Sequence, residues 1–294
     1  MKKCLATLAL LLFIQPYVFT WGFFAHKRIN KMAVYTLPEQ MGGFFLENIN
    51  YLSEHAVDAD KRRYSDEEEA PRHYIDIDHY SVDSPFVVMP QHWEDAVEKF
   101  TEDTLRTYGI LPWHIQLTYY RLVSAMEEHD ADKVLYLAAD LGHYIADAHV
   151  PLHTTENYNG QFTGQKGIHA FWESRLPELF AEDYDYWVAP VKYQKSVLQT
   201  SWGSIAKSYA AKDSVLLFEK RLHDQFESDQ KYSYEKEGGK KVYSKACSTA
   251  YHESLNGMVE RQLRHAIHTL GSIWYSAWVD AGQPKMDGWA ADEE

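Results

Sequence analysis

The chain has 294 residues, of which 45% are hydrophobic and 15% aromatic, and its formal net charge is −14 at pH 7. This length is enough for a sizeable core within one large domain. The strong negative charge repels nucleic acid at long range, so it argues against a DNA-binding regulator. It does not exclude a metal-dependent enzyme that acts on phosphate esters, because bound divalent cations offset such charge locally.

The first twenty residues have the pattern of a secretory signal peptide. Lys2 and Lys3 form a basic start, and an apolar run then leads to an imperfect small-residue cleavage site before Trp21. This run is too short to span a bilayer, and no later segment is apolar enough to do so. We therefore expect residues 1–20 to be a signal peptide and residues 21–294 to form one catalytic domain. The protein is then exported, to the periplasm or outside the cell.

The rest of the chain has helical periodicity nearly throughout, which predicts an all-α fold. Two charged runs, at 66–69 and 236–240, are predicted to be solvated loops. The predicted helices cover 91–108, Pro112 to Met126, a third segment capped by Asp130 or Asp132, 203–226, and 242–280 with a break at Gly257.

The most informative stretch lies between residues 143 and 173. It contains His143-x3-Asp147, then His153, then His169-x3-Glu173. Residues four apart lie on one face of a helix, so each pair can present two ligands to one metal ion. Imidazole nitrogen and carboxylate oxygen form the ligand set of a hydrolytic zinc site. A single pair of this kind is more often a surface contact, but two pairs with a histidine between them favour a metal site.

Two upstream segments add residues of the metal-binding type. One is Trp21-Gly-Phe-Phe-Ala-His26, at the start of the expected mature chain. The other begins Asp58-Ala-Asp60-Lys-Arg-Arg and continues to His73-x2-Asp76. Each segment alone is weak evidence, since a histidine in a loop and an anchoring tryptophan are common.

Together these five elements resemble one superfamily, the zinc-dependent phospholipases C and the secreted single-strand-specific zinc nucleases. The resemblance runs from Trp21 through Glu173. It implies an all-α, single multi-helix domain with three zinc ions in a cleft. The implied ligands are the α-amine and carbonyl of Trp21 with His26 and Asp147 for one ion; Asp60, His73, His143 and the bridging Asp147 for a second; and His153, His169 and Glu173 for the third.

One ligand assignment has an alternative. The superfamily has an Asp-x2-Arg element before the histidine that matches His73. Asp60 fits that element because Arg63 follows it at the right distance, whereas Asp58 fits other spacings.

The subfamily is also open between two alternatives. Glu173 and the short gap from His153 to His169 resemble the phospholipases. The Trp21-Gly-x3-His26 and His73-x2-Asp76 elements resemble the nucleases instead.

The implied function is a zinc-dependent phosphodiester hydrolase, phospholipase C-like, with a single-strand-specific nuclease as the alternative. A non-catalytic phosphate- or metal-binding protein on the same scaffold is the third hypothesis. Asp76 or Asp60 is the candidate to orient or deprotonate the attacking water; the alternative for Asp76 is a hydrogen bond to a ligand histidine. The expected partner is a phosphodiester substrate, either a phospholipid head group or single-stranded nucleic acid, with no stable nucleic-acid partner. His79 and His149 lie off the ligand spacing and are expected to pack or to support ligands.

Overall fold

The computed structural model describes residues 22–223, 225–234, 239 and 241–289, and this part of the chain is predominantly helical, which confirms the all-α prediction. The α-helices and strands are α1 (Phe23–Val34), α2 (Glu39–Glu47), α3 (Ile49–Glu54), α4 (Asp58–Arg62), α5 (Pro85–Val88), α6 (Trp93–Phe100), α7 (Glu102–Tyr108), α8 (Leu111–Glu127), α9 (Ala131–Asp147), α10 (Ile168–Ala170), α11 (Leu176–Phe180), α12 (Val197–His223), α13 (Ser228–Lys231), β1 (Tyr232–Tyr234), β2 (Lys241–Tyr243), α14 (Lys245–Ser254) and α15 (Met258–Asp280). Short 3₁₀ turns occur at His55–Val57, Ala70–His73, Ile77–His79, Pro151–Thr154 and Ala181–Asp183, and a π-helical turn at Phe171–Arg175. Both strands have three residues and pair antiparallel, with Ser233 opposite Val242.

The core is formed by the long helices α8, α9, α12 and α15 together with α1. Helix α9 begins where expected, since the Asp130 side chain accepts a hydrogen bond from the Lys133 backbone N–H at 3.0 Å. Nearly every residue of α9 is buried, including its polar ones. A polar side chain on this helix must therefore find its partners inside the protein.

A close approach between α1 and α9 sets the position of two of the predicted ligands. The Asn30 side chain of α1 donates to the carbonyls of Leu52 and Ala139, at 3.0 and 3.1 Å. It passes so close to Gly142 that a Cβ there would lie 1.9 Å from Asn30 Oδ1. Because α1 can approach α9 this closely, the rings of His26 and His143 stack with their centroids 3.9 Å apart.

The predicted helix over 91–108 is wrong in one respect, because it is two helices. Thr101 separates α6 from α7 with a φ of 68°, a left-handed conformation that ends α6. Its side chain then caps α7 by accepting from the Thr104 N–H. The second helix ends before Gly109, whose φ is 95°.

The C-terminal prediction was partly wrong as well. Residues 241–243 form a strand rather than the start of a helix, and α14 begins at Lys245 with a Ser244 cap. The break at Gly257 is confirmed, and its φ is 71°. The expected signal peptide and Trp21 lie outside the described residues. Within the described residues, no helix has the length and apolar character needed to cross a bilayer.

Candidate metal centre

Three groups of buried donor side chains lie together where α1, α4, α9 and three short turns meet. Within each group the candidate ligand atoms are no more than 4.8 Å apart. The groups are His26, Asp60 and His143; His73, His143 and Asp147; and His153, His169 and Glu173. Eight of the nine predicted ligands are thus brought together, and the ninth, Trp21, lies outside the described residues.

The group around Glu173 has its imidazole rings oriented by backbone carbonyls. His153 Nδ1 lies 2.6 Å from the carbonyl oxygen of His73, and His169 Nδ1 lies 3.0 Å from that of Tyr158. A carbonyl accepts only, so Nδ1 carries the proton and the Nε2 lone pair points the other way. Both Nε2 atoms face the same Glu173 oxygen, at 3.4 and 3.0 Å. The π-helical turn that contains Glu173 is a local irregularity of the kind often found at functional sites.

The group around Asp147 places two imidazole nitrogens side by side. His73 Nδ1 and His143 Nε2 are 3.0 Å apart, and they lie 2.9 and 3.3 Å from Asp147 Oδ2. His143 Nδ1 donates to the Ala56 carbonyl at 2.7 Å, which leaves Nε2 to face this carboxylate. Although burial alone would lower it, the Asp147 and Asp60 carboxylates raise the pKa of His143 to about 9. The cluster therefore attracts positive charge strongly.

Asp60 and Asp58 have different neighbours in the structure. Asp60 is buried, and its Oδ1 lies 3.8 Å from His143 Nε2 and 3.9 Å from His73 Nδ1. Arg63 Nη1 lies 3.7 Å from the same oxygen, so the Asp and the Arg of the Asp-x2-Arg element form an ion pair. Asp58 instead pairs with His55 at 2.6 Å and with Lys61 at 2.7 Å, outside the three groups.

His26 belongs to a donor group that differs in part from the expected one. The resemblance implied that His26 shares an ion with Trp21 and Asp147. Its Nε2 does lie 3.6 Å from Asp147 Oδ1, and His26 also forms a donor group with Asp60 and His143. The first described residue, Gly22, donates its backbone N–H to the Glu173 carbonyl at 3.3 Å. The chain therefore enters α1 directly beside the segment that carries Glu173.

Several buried polar atoms of these groups lack hydrogen-bond partners among the described residues, which suits a metal site. Five carboxylate oxygens in the cluster are buried and accept no hydrogen bond from the described residues: both of Asp60, both of Glu173 and Oδ1 of Asp147. Nε2 of His153 and Nε2 of His169 are in the same state. Buried carboxylates without donors are costly, and divalent cations remove that cost. A set of neutral imidazoles and carboxylates fits zinc.

A cavity of about 230 Å³ opens onto this cluster. His73, His153 and His169 all line it, so the cluster faces the cavity. Asp76 lies on its wall and belongs to none of the three groups. Burial, together with Asp78 and Glu156, raises the pKa of the Asp76 carboxyl to about 7. The other lining residues are Arg63, Ala70, Tyr74, Leu152 and Tyr158.

The prediction that residues 66–69 form a solvated loop is wrong for Glu69, which is 0% exposed. The Tyr144 hydroxyl donates to Glu69 Oε1, and Arg72 Nη1 donates to Oε2 at 2.6 Å. Glu69 Oε1 also lies 3.4 Å from Nε2 of His73. The missed signal was spacing: Glu69 and His73 are four residues apart, as in the two pairs already identified.

Two further polar residues continue this arrangement. Arg62 donates to both oxygens of the buried Asp140, at 3.1 and 2.6 Å, and to Glu69 Oε2 at 3.3 Å. A bidentate pair of this kind fixes the guanidinium plane. The side chains behind His73 are thus held by a charged network that the sequence interpretation did not include.

The two off-spacing histidines stay outside the cluster, as expected. His79 stacks on Tyr108 with the ring centroids 3.3 Å apart. His149 Nδ1 donates to the Ile145 carbonyl at 2.7 Å, and its ring lines a different cavity.

Comparison with known families agrees with this geometry. A family model described as zinc dependent phospholipase C matches residues 25–236 of the chain. The match includes all eight described ligand candidates. No curated protein matches the chain.

Proposed function

The chain belongs to the zinc-dependent phospholipase C family, and we propose that it is a phospholipase C-type hydrolase of phospholipid phosphodiesters. The family is zinc-dependent, and the three donor groups fit the three zinc ions expected. The observation that carries the proposal is that His73, His153 and His169 belong to these groups and also line the cavity. A substrate phosphate in the cavity is therefore next to the ligands.

The ligand assignment that we propose combines the three donor groups with the ligand sets that the family resemblance implies. His153, His169 and Glu173 hold one ion. Asp60, His73, His143 and Asp147 would hold the second, and His26 and Asp147 with the chain start would hold the third. Bound zinc supplies the Lewis acidity that activates water and neutralises charge on the phosphoryl oxygens.

The side chains of the cavity wall supply the rest of the chemistry. In the reaction, a water oxygen forms a bond to phosphorus while the bond from phosphorus to the glycerol oxygen breaks. The products are a diacylglycerol, which takes up a proton, and a phosphomonoester. We assign Asp76 to accept a proton of the attacking water, because it lies on the wall and its pKa is near neutral. Arg63 donates hydrogen bonds to the non-bridging phosphoryl oxygens.

A phospholipid is favoured over single-stranded nucleic acid by the family match and by the cavity wall. Tyr74, Leu152 and Tyr158 give the cavity a partly apolar surface that suits the glycerol end of a lipid. The chain also carries a net charge of −14, which opposes the approach of a polyanionic strand.

Export is part of the proposal. Residues 1–20 have the composition of a signal peptide, and we propose that they are removed before Trp21. The contact between the Gly22 N–H and the Glu173 carbonyl supports this, since it brings the start of α1 to the cluster. A free amine at Trp21 would then complete the ligand set of the third ion.

The test is a side-by-side assay of the zinc-loaded mature protein on phosphatidylcholine and on single-stranded DNA. We expect release of diacylglycerol, loss of activity with chelator, and much weaker cleavage of DNA. Asp76→Asn should retain zinc and lose roughly a hundredfold in kcat. Preferential cleavage of DNA would replace the proposal with the nuclease, and no hydrolysis of either substrate would leave the non-catalytic hypothesis.

A further inference from the structure

A second cavity, of about 350 Å³, lies between α12, α15 and the segment before α12, and its lining includes none of the residues of the three donor groups. Its wall is unusual for a chain with a net charge of −14, because it is lined by basic side chains. The cationic or imidazole-bearing residues of the lining are His149, Lys207, Arg261, Arg264, His265 and His268.

The basic groups are arranged by helix geometry. Arg261, Arg264, His265 and His268 follow the i, i+3, i+4, i+7 spacing, so they share one face of α15. Lys207 faces them from α12. Like charges at these spacings repel and destabilise a helix. Arg261 and Arg264, three residues apart, therefore repel each other, and a bound anion would relieve that repulsion.

The carboxylates of the described residues do little to balance these charges. Within the described part of the chain, Lys207, Arg261, His265 and His268 have no carboxylate oxygen within 4.0 Å. Among the described residues, Arg264 has two such neighbours, Asp185 and Glu260, each at 3.8 Å. The pKa of His265 is accordingly lowered, by burial first and then by Lys207 and Arg261.

Three of the side chains that α15 contributes are nevertheless held by backbone carbonyls. Arg261 and Arg264 donate to the carbonyls of Asn256 and Trp187, and each guanidinium has further N–H groups to offer. His268 Nε2 donates to the Pro190 carbonyl at 3.2 Å. His149, which is only 4% exposed, also lines the cavity.

We propose that this cavity binds a small phosphate-bearing anion. A multiply charged oxyanion matches the guanidinium N–H donors of Arg261 and Arg264 on α15 and the ammonium group of Lys207 on α12. The volume accommodates a phosphate or a phosphomonoester head group but not a folded polyanion. The same chemistry has two sources, free phosphate in solution or the phosphomonoester head group of a lipid. The site is separate from the metal cluster and does not depend on the proposed hydrolase activity.

The first arm of the test is calorimetric titration of the zinc-loaded protein, freed of excess metal, with inorganic phosphate. The Lys207→Gln/Arg261→Gln variant should lose one binding event, or weaken it by roughly tenfold or more. Lys212→Gln/Lys220→Gln removes the same charge from α12 outside the cavity and should leave the isotherm unchanged. Phosphate that binds at the metal cluster contributes equally to all three proteins, so the difference between isotherms measures the new site.

The second arm distinguishes the sources with phosphatidylcholine vesicles that contain or lack phosphatidic acid. If the cavity variant also loses binding to the phosphatidic acid vesicles, the ligand is a lipid head group; unchanged vesicle binding with loss of phosphate binding assigns free phosphate. Identical phosphate isotherms for the wild type and the cavity variant overturn the proposal. Circular dichroism and the single Lys207→Gln variant guard against a folding defect. Hydrolysis of a soluble phosphodiester, assayed in parallel, reports separately on the proposed function.

Discussion

Glu69 Oε1 lies 3.4 Å from His73 Nε2, on the side of the imidazole ring that faces away from Asp147. The other ring nitrogen, Nδ1, lies 2.9 Å from Asp147 Oδ2. A carboxylate behind a ligand histidine favours the tautomer with its proton on that side, and it raises the basicity of the nitrogen that faces the metal. In His73 the nitrogen that faces the cluster is thus Nδ1, whereas in His143, His153 and His169 it is Nε2.

Glu69→Gln should weaken zinc binding without unfolding the protein. The substitution keeps the shape of the side chain but removes the charge that orients His73, and such losses typically cost ten- to a hundredfold in metal affinity. Competition with a chelator measures the effect. Glu68→Gln, an exposed neighbour paired with Arg106, is the matched control and should retain zinc like the wild type. Equal zinc retention in both variants would show that Glu69 only packs.

Asp60→Asn and Asp58→Asn should differ sharply in zinc content and in activity. Asp60 faces His143 and His73 from a buried position, whereas Asp58 is paired with His55 and Lys61. We expect Asp60→Asn to lose about one zinc ion per chain together with most of the activity, because an amide is a poor replacement for a carboxylate ligand. Asp58→Asn should keep both. Elemental analysis and a phosphodiester assay of both variants test this prediction. A greater loss of zinc and activity in Asp58→Asn than in Asp60→Asn would identify Asp58 as the ligand instead.

Gly142→Ala should destabilise the fold at the contact between α1 and α9. The added Cβ would meet Asn30 Oδ1 at 1.9 Å, and Asn30 cannot move without breaking its bonds to Leu52 and Ala139. Overpacking of this kind lowers the free energy of unfolding by about 1–3 kcal/mol. Gly203→Ala, in α12 with no atom near its Cβ, should instead be neutral or stabilise by about 0.5–1 kcal/mol. Urea unfolding of both variants checks the contrast, which equal effects would refute.

His114 should make the free energy of unfolding fall at acid pH. Burial, followed by Arg72, lowers the pKa of His114 in the folded protein to about 3, against the ordinary 6.5. Between these values the unfolded chain binds the extra proton, so stability is complete above pH 6.5 and is lost as the pH falls. Each unit of pH in this window costs about 1.4 kcal/mol.

The measurement compares urea unfolding at pH 7 and pH 5 for the wild type and His114→Gln. The wild type should lose more stability than the variant over this interval, by about 1–2 kcal/mol. Other titrating groups contribute equally to both proteins and cancel in the difference. Parallel losses would mean that His114 takes up its proton in the folded state.

Most of the fold can be predicted from local patterns in the sequence. Apolar periodicity with Pro112 and Asp130 at helix starts predicts α8 and α9 closely. The division at Thr101 could not be predicted in the same way, because a β-branched residue with a φ of 68° is stabilised by its surroundings rather than by its own preference. The strand at 241–243 depends on pairing with residues 232–234, which is a tertiary contact.

The site shows the same division between local and tertiary information. Spacing identified His143, Asp147, His169 and Glu173, because each pair lies on one helical segment. The choice between Asp60 and Asp58 depends on how α4 is rotated against α9, which a five-residue helix does not reveal by periodicity. Glu69 was not identified from the sequence because it lies in an acidic run whose other members are solvated. Its four-residue spacing from His73 could have identified it.

The proposed metal centre is tested by the zinc content of the mature protein with a free Trp21 amine, measured by elemental analysis. The three donor groups predict about three zinc ions per chain and hydrolysis of phosphatidylcholine that chelator abolishes and added zinc restores. A Gly-extended form, in which the Trp21 amine becomes an amide, should retain about two. Fewer than two zinc ions in the correctly processed protein, or hydrolysis that persists in its metal-free form, would contradict the proposed metal centre.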